Sequence, residues 1–270
     1  KASSPINLYG ATKLTSDKLF IAANYYRGSK NIKFSVARYG NVAGSRGSVI
    51  PFFLNHKSKG FLPITDKRMT RFNITLDQSV EFIFFCLKKM WGGEVFVPKI
   101  PSYKILDLAK AVSPKSRIKF IGIRPGEKIH EEMISSSEAL NTLEFKNYFV
   151  IVPNSEFLDW GKKQYMQKNK NGKICNYNFS YNSQNNTKFM SISEIKINIE
   201  KNNISNIDIV RMSSEEFSQA MNGERLFRRL EGFDLTAYNY DTVLVDPPRA
   251  GLDKDSVELV RRFEKIIYIF

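Results

Sequence analysis

The pattern of apolar and polar positions sets out a helix over about 8–26, fed by the loop Ser3-Ser4-Pro5 and stopped by Gly28 and the polar Ser29-Lys30-Asn31. The run Lys33-Phe34-Ser35-Val36-Ala37-Arg38 predicts a short strand ending in Tyr39-Gly40-Asn41. Helix followed by strand is a unit of the α/β kind. A Gly- and Ser-rich loop over 44–51 leads to a short helix over 52–57, and 66–71 is a basic loop. The periodic apolar pattern of 75–90 predicts a helix that Gly92-Gly93 terminates. A strand over 95–97, a helix over 105–112, a strand over 119–123 and a short helix over 127–134 complete this half.

After Pro153 the texture changes. Residues 162–187 are rich in Lys, Asn and Gln and hold no sustained period, which predicts an extended tail or linker. A second pattern then begins at Ile195, with a helix to about 202, a strand over 207–210 and a helix over 214–221. A buried strand over 242–245, a helix over 256–263 and a strand over 266–269 follow. The sequence ends inside that strand, so an unfinished second core is expected. No internal repeat is visible.

Composition changes this picture little. The chain has 270 residues, 42% hydrophobic and 13% aromatic, enough for one large core or two modest ones. No run of eighteen apolar residues and no signal-like start predict a protein without a membrane span, placed in the cytoplasm. Cys86, Cys175, His56 and His130 stand too far apart for a zinc site, so no metal is expected. The net charge of +14 fits nucleic acid or an anionic small molecule. Its cations are scattered through a chain biased toward Lys, Asn, Ile and Phe, which favours the small molecule.

Chemistry enters at Tyr9-Gly10-Ala11-Thr12-Lys13. A Tyr and a Lys at i and i+4 share one helix face, and the ammonium favours the phenolate by opposite charge. Such a phenol serves as a general base. The spacing alone occurs by chance in many helices, where the Tyr packs and the Lys is solvated.

Its surroundings are more specific. Lys1-Ala2-Ser3-Ser4-Pro5-Ile6-Asn7-Leu8 before it resembles the active-site segment of the extended short-chain dehydrogenase/reductases, and within them the inverting UDP-N-acetylglucosamine 4,6-dehydratases of pseudaminic acid synthesis. The likeness continues through Arg38-Tyr39-Gly40-Asn41-Val42-Ala43-Gly44, Arg68-Met69-Thr70-Arg71-Phe72, Gly92-Gly93-Glu94 and Gly122-Ile123-Arg124-Pro125-Gly126-Glu127, and covers about residues 1–195.

That resemblance implies a Rossmann-like fold, an NADP cofactor and a UDP-sugar substrate. It makes Tyr9 the base at the C4 hydroxyl and Lys13 its partner at the nicotinamide ribose, with Tyr39 beside the cofactor. Lys1 falls at the lysine of an Asp-Lys pair that handles elimination, and the Asp of that pair would precede Lys1. Arg71 and Arg124 are implied for the diphosphate or uridine end, Glu127 for ribose hydroxyls, and Asn41 and Asn186 for the substrate. The Gly-rich dinucleotide loop of the family is not among these residues. The chain is therefore expected to bind NADP poorly and to be inactive by itself. Complete members of the family assemble as homo-oligomers.

A second constellation, Asp246-Pro247-Pro248-Arg249-Ala250-Gly251-Leu252, follows the apolar Val243-Leu244-Val245. With Arg211-Met212-Ser213-Ser214-Glu215-Glu216-Phe217 before it, this resembles the tRNA uracil-5-methyltransferases, in which the position of Asp246 lies at the cofactor and base pocket. The family's nucleophilic Cys would come after Ile266-Ile267-Tyr268-Ile269-Phe270, so covalent methyl transfer is not expected and S-adenosylmethionine is not implied as a cofactor.

The expectation is thus an α/β chain in three parts. Residues 1–153 are an incomplete Rossmann-like dehydratase portion, 154–195 its polar tail, and 196–270 a smaller methyltransferase-like fragment. The alternatives are an RNA-binding or RNA-modifying protein and a non-catalytic fusion product.

Overall fold

In the computed structural model of the protein, the described residues are 3–28, 30–45, 48–153, 158, 160–201, 214–230, 242–245, 253–263 and 265–268. They form two compact units, Lys1–Asn203 and Ile204–Phe270. The expected Lys1 and Asp246 and the strand expected over 207–210 lie outside the described residues.

The first unit opens with α1 (Leu8–Tyr26), β1 (Val36–Ala37), β2 (Asn41–Val42) and α2 (Val49–His56). Then come β3 (Phe61–Ile64), β4 (Thr70–Ile74), α3 (Leu76–Lys89), β5 (Val95–Pro98), β6 (Ser102–Lys104) and α4 (Ile105–Val112). The remainder is β7 (Arg117–Phe120), β8 (Glu132–Ile134), β9 (Thr142–Glu144), β10 (Tyr148–Ile151), α5 (Lys162–Lys168), β11 (Lys173–Ile174), β12 (Tyr181–Asn182) and α6 (Ile192–Lys201).

A five-stranded sheet runs in the order β1-β5-β10-β9-β11, with β1 parallel to β5 and the later pairings antiparallel. A second sheet runs β2-β4-β6, while β3 pairs with β7 in parallel and β8 with β12 antiparallel. Two cores result. Phe53, Leu62, Ile64, Leu108 and Ile195 join α2, β3, α4 and α6. Phe96, Leu143, Val150 and Tyr165 pack the large sheet against α3 and α5.

Helices with local start signals appear where expected. Thr75 accepts from Gln78 N–H while the Gln78 side chain accepts from Thr75 N–H, a reciprocal cap that starts α3. Asp77 and Lys88-Lys89 then suit the two ends of its dipole.

Elsewhere tertiary contacts override the local pattern. Helix α2 begins at Val49, ahead of the expected 52, because Pro51 fits a first turn whose N–H groups lack helical partners. The expected helix over 127–134 is absent. Carbonyls of Lys128 and Ile129 accept from Arg71, and Ser183 takes the backbone of Glu131, so the segment stays irregular and ends in β8. The basic loop at 66–71 runs straight into β4. Residues 162–187 hold α5, β11 and β12 rather than an extended tail, anchored by the buried Tyr165 and Tyr181.

The second unit holds α7 (Ser214–Met221), β13 (Thr242–Val245), α8 (Lys254–Val260) and β14 (Lys265–Tyr268). Strands β13 and β14 pair in parallel, Thr242 opposite Lys265, with α8 between them in sequence. That is the βαβ connection expected of an α/β fold. Asp253 caps α8 by accepting from Ser256 N–H at 2.9 Å.

Candidate active site

Helix α1 carries the Tyr-Lys pair at its start. Asn7 is the N-cap, accepting from Gly10 N–H at 2.7 Å. Tyr9 is 38% exposed, and the Lys13 ammonium lies 4.9 Å from its ring centroid. The i, i+4 spacing therefore does bring the two together, with the cation over the ring face.

The Asn7 amide also donates to the Gly126 carbonyl at 2.8 Å. This joins the start of α1 to the loop that follows β7 and carries Arg124 and Glu127. Glu127 accepts from Thr65 Oγ1 and from the Arg124 N–H, both at 3.3 Å. The Arg124 side chain is exposed and has no hydrogen bond or ion pair among the described residues. Of Arg68, Arg71 and Arg124, it is the one whose guanidinium is not engaged by a described residue. Ser3 Oγ donates to the Glu132 carbonyl at 2.7 Å and Ser4 to the Glu132 carboxylate, which tie the loop before α1 to β8.

Tyr39 and Asn41 are half-buried, at the end of β1 and in β2. Gly40 between them is required by close packing, since a Cβ there would lie 2.4 Å from Phe72 Cβ.

Two expected binding residues point elsewhere. Arg71 donates to the carbonyls of Thr70 (2.7 Å), Ile129 (2.8 Å) and Lys128 (2.8 Å), and its Nε lies 3.7 Å from Glu131. In this arrangement it shapes the 124–131 loop and offers no open fork. Asn186 donates to Ile100 O at 2.8 Å and Ser102 Oγ at 2.9 Å, holding the segment after β12 against β6.

Beneath the loop, Thr70 Oγ1 contacts His130 Nδ1 at 2.8 Å and Ser183 Oγ at 2.7 Å. Burial, with the cations of Arg71 and Arg68 nearby, lowers the His130 pKa. Beside it, hydrogen bonds from Arg68 hold the Asp66 carboxyl down to about 2.

A buried ionic cluster ties α1 to the end of β1 and to the 133–138 segment. Arg38, just after β1, donates to Asp17 of α1, to Glu138 at 3.0 and 3.1 Å, and to the Met133 carbonyl at 2.6 Å. Sequence reasoning missed Asn7, Thr65, Thr70, Ser183 and this cluster. Only Asn7 had a local signal, an Asn directly before a helix.

Residues 1–153 match the family described as polysaccharide biosynthesis protein, and residues 183–270 match the family described as tRNA (uracil-5-)-methyltransferase. A UDP-N-acetylglucosamine 4,6-dehydratase (inverting) of Campylobacter jejuni is 52% identical over 206 residues, covering 72% of this chain and 59% of that protein. A solved structure, Pen from Bacillus thuringiensis, superposes with a TM-score of 0.63 at 35% identity, covering 74% of this chain and 60% of that one. A tRNA/tmRNA (uracil-C(5))-methyltransferase of Colwellia psychrerythraea is 82% identical over 79 residues, which are 29% of this chain and 22% of that protein. The chain thus spans less than two thirds of the length of each of these relatives.

Proposed function

Because the chain belongs to the polysaccharide biosynthesis protein family, whose match covers residues 1–153, we propose that it supplies the substrate-side part of a C5-inverting UDP-N-acetylglucosamine 4,6-dehydratase. The observation that carries this reading is the Tyr9–Lys13 pair, joined through Asn7 to the loop bearing Arg124 and Glu127. One end suits proton transfer at a sugar hydroxyl, the other a nucleoside diphosphate.

Each side chain has a role in this scheme. Arg124 meets the diphosphate with a planar fork, which suits paired oxygens. Glu127 accepts from ribose hydroxyls, and Asn41 faces the hexose. Tyr9 takes the proton of the C4 hydroxyl, and Lys13 holds that phenol in its working position. Lys1 moves the protons of the elimination across C5 and C6. Arg71 and Asn186 act one layer back, by holding the loop and the β12 segment in place.

The donor set at Tyr9 also fits a nicotinamide dinucleotide, since an ammonium and a phenol on one helix face match ribose hydroxyls; Tyr39, just after β1, is the further cofactor-side residue of this reading. When bound, that cofactor, NADP by family expectation, supplies the hydride acceptor for C4 and the hydride for C6. Positioned acid and base groups of this kind contribute roughly 10²–10⁴-fold each.

Titration calorimetry of the 270-residue chain with UDP-N-acetylglucosamine tests the reading. Arg124→Ala is expected to weaken binding about 10-fold or more, the loss typical of a charged hydrogen bond. Equal affinity in Arg124→Ala, or no binding to the parent chain, would refute it.

A second reading rests on the match of residues 183–270. The second unit then belongs to an RNA-modifying fold in which Asp246 borders the pocket. Salt-sensitive tRNA retention on filters, lost on deleting 204–270, would support that reading; its absence would remove it.

A further inference from the structure

We propose that Asn7 is a positioning residue that couples the nucleotide-binding loop to the Tyr9-bearing end of α1; this rests on the nucleotide-sugar reading above. The two ends of its amide serve two elements 119 residues apart in sequence. Oδ1 accepts from Gly10 N–H at 2.7 Å and fixes the first turn of α1, in which Tyr9 sits two residues along. Nδ2 donates to Gly126 O at 2.8 Å, between Arg124 and Glu127.

The contact is shaped from both sides. Gly126 has φ +74, and a Cβ there would lie 3.1 Å from Asn7 Cβ and 3.3 Å from Nδ2. Only glycine lets the loop backbone come this close in this conformation. The far side of the loop is already fixed, by Arg71 on the carbonyls of Lys128 and Ile129 and by Thr65 on Glu127. A shift of the loop on binding a diphosphate is therefore passed toward Asn7 and the helix start. The hydrogen bond is solvent-exposed in this state, so a ligand that covers it strengthens it by excluding water. By linkage, the position of Tyr9 feeds back on nucleotide affinity by the same factor.

The residue type follows from this double duty. Asp and Ser cap helices as well as Asn does. Of these, Asp has no donor for Gly126, and Ser carries its hydroxyl one bond closer to the backbone than the Asn amide.

The test uses the full chain with ring-¹³C tyrosine and titrates it with UDP. The Tyr9 signal is assigned by its loss in Tyr9→Phe. UDP lacks the hexose, so any movement of that signal is transmitted rather than made by direct contact at C4. In the parent, calorimetry is expected to show UDP binding and the Tyr9 signal to move with saturation. In Asn7→Asp, which keeps the cap, the melting temperature is expected to persist and UDP still to saturate the chain, though more weakly, while the Tyr9 response at saturation falls at least about threefold. Gly126→Ala is expected to lose the response as well, with the Asn7 cap intact. Asn7→Ser replaces Asn7→Asp if the latter fails to fold.

A full Tyr9 response in the folded Asn7 variant overturns the inference. So does UDP binding to the parent without a Tyr9 response, while the nucleotide-sugar reading survives. Failure of UDP to bind the parent overturns the nucleotide-sugar reading and the inference with it.

Discussion

Replacing Arg38 with methionine is expected to destabilise the first unit by about 3–5 kcal/mol, the cost of leaving a buried charge without its partner. The Arg38 side chain is 6% exposed, Asp17 1% and Glu138 12%. Burial pushes the Glu138 carboxyl up, yet the charge and hydrogen bonds of Arg38 outweigh it and hold the group below its ordinary value. Glu138 keeps other partners when Arg38 is removed, namely the Ser135 N–H at 3.1 Å and Lys18 at 3.8 Å. Asp17 has a second oxygen that is buried without a hydrogen bond, so most of the penalty falls there.

The melting temperature should fall by roughly 6–20 °C, at about 2–4 °C per kcal/mol for a unit of this size. Urea unfolding followed by tryptophan fluorescence isolates the effect, because Trp91 and Trp160 both lie in the unit Lys1–Asn203. Adding Asp17→Asn to Arg38→Met removes the stranded charge and should restore at least about 1 kcal/mol, a coupling of the size seen between residues in one ionic network. A loss below about 1 kcal/mol in the single variant, or strict additivity in the double, would refute the argument. Asp17 stands one turn after Lys13, so the same cluster fixes the helix that presents Tyr9.

Three further outcomes are expected. The His130 pKa lies below 6.5 in the folded protein, so the unfolded chain takes up that proton first. Stability from this group is full above 6.5 and is lost as pH falls toward the folded value. His130→Gln should flatten this part of the urea-midpoint profile, and an unchanged slope would count against it. Burial raises both thiols, Cys175 to about 11 and Cys86 further, so a thiol reagent at pH 8 should label neither in the native protein; prompt labelling of either would refute this. Ile195→Ala should cost about 2–5 kcal/mol, since Ile195 is 3% exposed in the core with Leu62 and Leu108. A loss below about 1 kcal/mol in the tryptophan-monitored transition would show that α6 does not seal that core.

What could be foreseen depended on how local its cause was. The Thr75–Gln78 cap and the apolar face of α4 sit within a turn or two, so α3 and α4 emerge from sequence alone. Strands β3 and β4 do not, because Pro63 and Arg71 interrupt short segments whose pairing partners lie elsewhere. The expected helix over 127–134 failed for the complementary reason: Ile129, Met133 and Ile134 supply a helix-like spacing, but Arg71 and Ser183 capture its backbone groups. The site divides in the same way. Tyr9 and Lys13 meet because one helix turn separates them, whereas Asn7 meets Gly126 across 119 residues.

Segment 183–203 carries this reasoning to the boundary between the two family matches. The methyltransferase match begins at 183, yet the fold places these residues in the first unit. Ser183 accepts from Glu131 N–H at 2.9 Å, and Met190 N–H donates to Ser102 O at 2.8 Å. Helix α6 adds Ile192, Ile195 and Ile199 to the core formed by α2, β3 and α4. What that core requires of α6 is an apolar stripe at i, i+3 and i+7, a demand that helices of many origins meet. Only the polar anchors ask for particular residues: Ser183 hydrogen-bonds both Thr70 and Glu131, and no aliphatic side chain can replace it there. The dehydratase relative covers 72% of the chain, more than residues 1–182 alone supply, so the two likenesses overlap at this segment and its packing follows the first unit. The hydrogen bonds of Ser183 tie it to the candidate site more specifically than the packing of α6 does.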